Sequence, residues 1–246
     1  MTVVHLLAHF DDEYCALPLV RALARAGRTQ RFVYVADYAT PGITATRLAE
    51  TRALLAELGI GAEAVIHAGA GVMDGALHTD PMTAWRAVRP VVAGIGAVST
   101  LVTTAWEGGH ADHDLCAAMA VKLQDLLPGR PGIRQIALYH GRGTWGPLFQ
   151  ACDPIRENGP VTQVPMTAGQ WLSYAAAVRH FPSQWKSWAG LWPAMFITFA
   201  GRGFGVQALE PARVRARPHL GRLLYERRFG VSYEEVRAAA DLILDS

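Results

Sequence analysis

Lysine is nearly absent from this chain: of 23 basic residues, only Lys122 and Lys186 are lysine. Charged residues make up only 18% of the 246, the formal net charge is +2, and no basic run occurs. A nucleic-acid partner calls for a basic stripe or patch, so nucleic acid is excluded as an expectation. Cysteine is scarce as well. Cys15, Cys116 and Cys152 are too few and too scattered for a disulfide framework or a thiolate metal site, and they suit a reducing cytoplasm. No apolar run approaches the roughly 20 residues that span a bilayer. The opening MTVVHLLAHFDDE has no basic segment and meets acids early, unlike a signal peptide. The expectation is a cytoplasmic protein that acts on a small molecule, with assembly into a homo-oligomer left open.

What is present suits a large core, since 51% of the residues are hydrophobic. Val3 to Ala8 reads as a buried strand that runs into His9-Phe10-Asp11-Asp12-Glu13 and then a helical pattern to about Arg25. Strands are expected at Arg31–Ala36, Ala64–His67, Val98–Thr104 and Ile133–His140, alternating with helices at Thr44–Leu58, Thr83–Ala93 and Asp114–Leu127. This alternation implies an α/β fold: a mostly parallel, Rossmann-like sheet with helices on both faces. The whole chain, 1–246, reads as one domain. From about residue 142 the pattern is irregular, with helices expected near Ala168–His180 and Tyr233–Leu244, and this region is expected to shape a pocket.

Two polar segments fall at strand-to-helix turns, where ligand sites of such sheets lie. In the first, His9 and Asp12 stand at i and i+3 of a helix start and can point at one ion, as a partial zinc set of imidazole and carboxylate. Asp11 is turned aside, near enough to accept a proton from a water activated there. In the second, His110 and His113 repeat the i, i+3 spacing around Asp112. One of these histidines can complete a three-ligand site. The other can serve as acid or oxyanion donor, with Asp112 fixing its tautomer and favouring its charged form. The plainer alternative is that Asp11-Asp12-Glu13 caps a helix and complements its dipole.

His9-Phe10-Asp11-Asp12-Glu13 and His110-Ala111-Asp112-His113 resemble the two signature motifs of the LmbE/PIG-L family of zinc-dependent N-acetylglucosaminyl deacetylases, A-H-P-D-D-E and H-P-D-H. Arg47 and Glu50 resemble the family's R-x-x-E stretch, Asp74-Gly75-Ala76-Leu77 its D-G-x-L loop, and Ser183-Gln184 its S-Q. The resemblance covers about residues 1–185. It implies a Zn2+ cofactor on His9, Asp12 and His113, with Asp11 as general base. It further implies His110 as acid or oxyanion stabiliser with Asp112 as its partner, and Arg47 and Asp74 as substrate contacts. The implied reaction is hydrolysis of an N-acetyl or N-acyl group from an amino sugar or glycoside.

Phe10 and Ala111 stand where the family has proline, which removes no ligand and no proton-transfer group. Phe10 reads as core packing. The Trp185, Trp188 and Trp192 series, at about helical spacing, reads as a core stripe rather than a sugar platform. The segment 223–229 is expected to line a pocket for a larger aglycone. Two other functions stay open: a zinc amidase for a non-sugar amide, and a catalytically silent sugar-binding protein of the same fold.

Overall fold

The structure, a computed structural model, describes residues 2–246. Strand β1 (Thr2–Leu7) leads through a tight turn to the short helix α1 (Asp12–Cys15) and then α2 (Leu17–Arg25). β2 (Thr29–Tyr34), α3 (Pro41–Ala56), β3 (Val65–His67) and α4 (Pro81–Ala93) follow, then β4 (Val98–Thr104), α5 (Ala111–Leu126) and β5 (Gly132–Ile136). The remainder holds a small hairpin of β6 (Tyr139–His140) and β7 (Gln150–Ala151), then β8 (Val161–Val164) and α6 (Ala168–Ala177). It ends with α7 (Trp185–Arg202), β9 (Phe204–Ala208), α8 (Leu224–Arg228) and α9 (Tyr233–Leu244).

The main sheet has seven strands in the order β3-β2-β1-β4-β5-β9-β8. The first five are parallel, while β9 and β8 run antiparallel at one side. Helices cover both faces, as the alternation of elements implied. Along β1 the side chains divide by the two-residue period of a strand. Val4 and Leu6 join one core with Val88 of α4, Leu115 and Met119 of α5 and Ile243 of α9, and Val3 and Leu7 join the other with Leu17, Leu54, Tyr174 and Phe199. The chain order reverses direction across the sheet between β1 and β4. That reversal leaves a crevice at their carboxyl ends, and both polar segments of the sequence sit in it.

The sequence reading differs from the structure in two places. Ile133–His140 is not one strand, because β5 stops at Ile136. The Glu107 carboxylate accepts the N–H groups of Leu138 (2.7 Å) and Tyr139 (3.0 Å), pulling them out of the ladder. The Trp-rich segment is an 18-residue helix, α7, and only part of its stripe is core. Trp188 is buried against Tyr14 and Phe181, whereas Trp185 is 63% exposed.

Glu107 is itself held in the core: Asp114 on α5 accepts the N–H of Glu107 at 3.0 Å and that of Gly108 at 3.2 Å. Burial, with Asp114 adding repulsion, pushes the Glu107 pKa from 4.5 up to about 8. A raised carboxyl pKa stabilises the fold fully below the unfolded value of about 4.5, and that stability is lost as pH rises through about 8. We therefore expect the melting temperature to fall between about pH 5 and pH 9, with Glu107 accounting for roughly a few kcal/mol. Glu107→Gln keeps an oxygen for the two N–H groups and should flatten that slope; melting curves with the same slope in the variant would refute the assignment.

Candidate metal and catalytic site

Asp12 organises the first turn. One carboxylate oxygen accepts the N–H of Ala8 (3.0 Å) and of His9 (2.9 Å), and the other lies 3.2 Å from Nε2 of His113. His9 Nδ1 stands 3.2 Å from the same His113 nitrogen and 3.8 Å from Asp12. Donors about 2.0–2.1 Å from a tetrahedral zinc are roughly 3.3 Å apart, so the two 3.2 Å separations centred on His113 Nε2 suit one ion, the 3.8 Å contact being to the backbone-bonded Asp12 oxygen. Burial alone would raise the Asp12 pKa, but His113 and His9 hold it well below the carboxylate range. Burial alone would lower that of His9, yet Asp74, Asp112 and Asp12 together raise it well above 6.5. Such a buried cluster of acids and imidazoles draws a cation.

Ligand atoms of His9, His110 and His113 also fall within 4.8 Å of one another, as do those of His9, Asp74, His110 and Asp112. These sets are less suited to an ion. His110 Nδ1 already accepts the N–H of Asp112 at 3.2 Å, making His110 the cap of α5. Asp112 already accepts the N–H groups of Gly75 (2.7 Å) and Leu77 (3.1 Å) and faces His9 Nε2 at 3.1 Å.

That arrangement corrects one expectation. Asp112 is not the partner of His110, whose Nδ1 lies 4.0 Å away. It is the partner of His9, and a carboxylate on one imidazole nitrogen fixes the tautomer that leaves the other free for a metal. Nor is His110 charged: burial pushes its pKa down to about 4 despite the nearby Asp112. With Nδ1 accepting, the ring proton resides on Nε2, so His110 is a neutral N–H donor.

Asp11 occupies the cap position of α1 but makes no capping hydrogen bond. Its backbone is in the left-handed region, φ 119°, an uncommon and strained state for a residue other than glycine. The buried Glu13 carboxylate holds it there, accepting the Asp11 N–H at 3.0 Å and the Tyr34 hydroxyl at 2.9 Å. The sequence marked Glu13 only as a dipole-complementing acid. Burial, reinforced by Asp12 and Glu13, raises the Asp11 pKa well above its ordinary value. A raised carboxyl pKa makes a stronger base.

Phe10 is fully buried between Tyr34 and Tyr38, and its N–H, which a proline would lack, donates to the Tyr38 hydroxyl at 2.8 Å. The Tyr38 ring carries the Arg47 guanidinium at 4.3 Å, and Arg47 lies 3.7 Å from Asp74, which in turn faces His9 Nε2 at 3.1 Å. Arg47 and Asp74 thus reach the site. The two subsidiary motifs meet as well: Glu50 accepts from the Ser183 N–H (2.9 Å) and hydroxyl (2.6 Å), while Gln184 donates to the Phe10 carbonyl at 3.1 Å. On the β4 side, Gly109 packs so tightly on Tyr139 that a Cβ there would fall on its carbonyl oxygen.

A cavity of about 360 Å³ opens onto these groups, walled by Tyr139, Phe149, Trp188, Leu191, Arg228 and Phe229. Its wall includes the end of the 223–229 segment, as expected. It also includes Lys186 and Phe149, which no motif had marked. The remaining histidines stay outside the cluster; His5, for example, stacks on Phe32 and bonds to Gln30.

The fold is that of the LmbE/PIG-L-type deacetylases. A deacetylase of the teicoplanin biosynthesis pathway superposes with a TM-score of 0.62 at 14% identity, over 85% of this chain and 98% of its own. N,N'-diacetylchitobiose deacetylase from Pyrococcus horikoshii gives 0.60 at 14% identity, over 89% and 87% of the two chains. The 4-carboxy-2-hydroxymuconate hydratase of Pseudomonas putida KT2440 gives 0.57 at 15% identity, over 89% and 99%, so the fold also carries another chemistry. No family model and no curated protein matches the sequence.

The Asp112–His9 contact makes a measurable claim. Asp112→Asn should weaken zinc binding about 10–100-fold, the usual effect of losing an outer-shell partner. Competition with a chelating dye measures it, and an unchanged affinity would mean that Asp112 only holds the Gly75–Leu77 loop.

Proposed function

We propose that the chain is a zinc-dependent hydrolase that removes an acyl group from an amine, in the manner of the N-deacetylases whose fold it shares. His9 Nδ1, the Asp12 carboxylate and His113 Nε2 hold the ion, a three-donor set that leaves a position open. Zinc held there supplies Lewis acidity, which acidifies a water and polarises an amide carbonyl. Asp11 takes the proton of the attacking water. The Nε2–H of His110 donates to the oxygen on which charge develops, a role a neutral imidazole can fill. Asp11 then returns the proton to the departing amine. Asp112 orients His9, and Arg47 with Asp74 offers polar contacts to the substrate.

The observation that carries this reading is Asp11: a half-buried carboxylate in a strained conformation, capping nothing, at the end of a cavity beside the donor cluster. A helix cap would use its oxygens on the helix, and a silent binding protein needs no such base. Structures similar to this chain include deacetylases of teicoplanin biosynthesis and of diacetylchitobiose, which supports an N-acylated amino sugar or glycoside as substrate.

Purified protein should contain about one zinc per chain and release amine from an N-acyl sugar, losing activity on chelation and regaining it with zinc. One similar structure is a zinc-inhibited deacetylase, so zinc is best restored stoichiometrically. Asp11→Asn should keep the metal and lose on the order of 10²–10⁴-fold in turnover. Full activity in that variant would remove Asp11 from the mechanism, and release from simple amides alone would favour the non-sugar amidase.

A further inference from the structure

Charge is distributed unevenly in the cavity. Asp11, Asp12 and Asp74 stand at its metal end. Of the three Arg and Lys side chains on its wall, Arg47 is at that end, 3.7 Å from Asp74, while Arg228 and Lys186 stand elsewhere. Arg228 lies at the end of α8, with its guanidinium 5.9 Å from the rings of both Phe149 and Phe229. Phe229 in turn meets the His110 ring edge-on at 5.2 Å, so Arg228 sits one aromatic ring beyond the candidate oxyanion donor. Lys186 lies in the first turn of α7, where the helix dipole adds positive potential and no acid offsets it.

Among the described residues neither cation has a carboxylate partner or a hydrogen bond from its charged group; Lys186 lies 6.0 Å from the Trp185 ring. Arg217 is paired with Glu226 at 2.7 Å and Arg142 with Glu157 at 2.9 Å, while Arg227 donates to Thr144 at 3.0 Å. Glu226, the acid of α8, is committed to Arg217 and to the N–H groups of Leu223 and Tyr233. The aromatic partners of Arg228 leave its fork of N–H donors unused.

We infer that Arg228 and Lys186 form an anion-recognising subsite, and that the substrate is an acylated amine carrying a carboxylate or phosphate on the part remote from the amide. This rests on the deacylase reading of the same cavity. The two cations attract the anionic group to a part of the wall away from the metal donors, and so bias which end of the substrate enters first. The planar fork of Arg228 suits either anion in two-point contact.

Calorimetry on the zinc-loaded protein tests the subsite with N-acetylglucosamine, its 6-phosphate and N-acetylglucosaminuronic acid, which separate neutral, phosphate and carboxylate probes with the anion across the ring from the amide. At least one anionic probe should bind about 10-fold or more tightly than the neutral sugar, with a preference that shrinks as salt is raised. Arg228→Gln should abolish most of that preference, and Lys186→Gln part of it, while leaving affinity for the neutral sugar and the melting temperature unchanged. Equal affinities, no binding of either anionic probe, or a preference that survives both substitutions would overturn the subsite. Amine release from the same probes separates the two readings. Turnover without anionic preference keeps the deacylase and removes the subsite; anionic preference without turnover does the reverse.

Discussion

The carboxylate of Asp12 is the contact on which the rest of the site depends. It ties the backbone at the end of β1 to an imidazole carried by α5, and so fixes the width of the crevice between β1 and β4. Once it is in place, His9 can face His113 with one nitrogen only if its other nitrogen is held elsewhere, and Asp112 holds it. Asp112 in turn fixes the Gly75–Leu77 loop, which brings Asp74 and Arg47 to the same crevice. One carboxylate therefore connects segments more than a hundred residues apart into a single frame, with one oxygen committed to backbone and the other facing His113.

Much of this was legible in the sequence because its signals are local. The i, i+3 spacings of His9 with Asp12 and of His110 with His113, each after a β-branched run, placed both segments at strand ends without a structure. Helices on either side of a parallel sheet followed from alternating periods. What was not legible depends on distant partners. The assignment of Asp112 to His110 was the natural sequence choice, two residues apart. In three dimensions the backbone N–H of Asp112 takes the His110 nitrogen, and the Asp112 side chain is left to reach across to His9. The early end of β5 had no local sign either, because it is caused by Glu107, thirty-one residues upstream of Leu138. The cations at the cavity wall could not be told from ordinary solvated residues until the fold placed both on one cavity.

The substitution of proline by Phe10 shows how a motif position can change without altering its chemistry. Phenylalanine introduces an N–H in a buried turn, where an unpaired donor is costly. Tyr38, from the loop after β2, accepts it, and the same ring supports Arg47. A residue that looks like a departure from a family pattern is thus coupled to a second-motif residue through one tyrosine.

The pinning of the last segments onto the site loop has a consequence for how the molecule comes into being. Leu224 donates its N–H to the Gly108 carbonyl at 2.8 Å, and the Leu223 side chain packs directly on Gly108. The metal donors all precede residue 114, whereas Lys186, Trp188, Arg228 and Phe229 of the cavity wall come from beyond residue 184. A chain emerging from the ribosome therefore carries its candidate metal donors well before the segments that complete the cavity wall. What the crevice can admit is fixed later than the groups that line its floor.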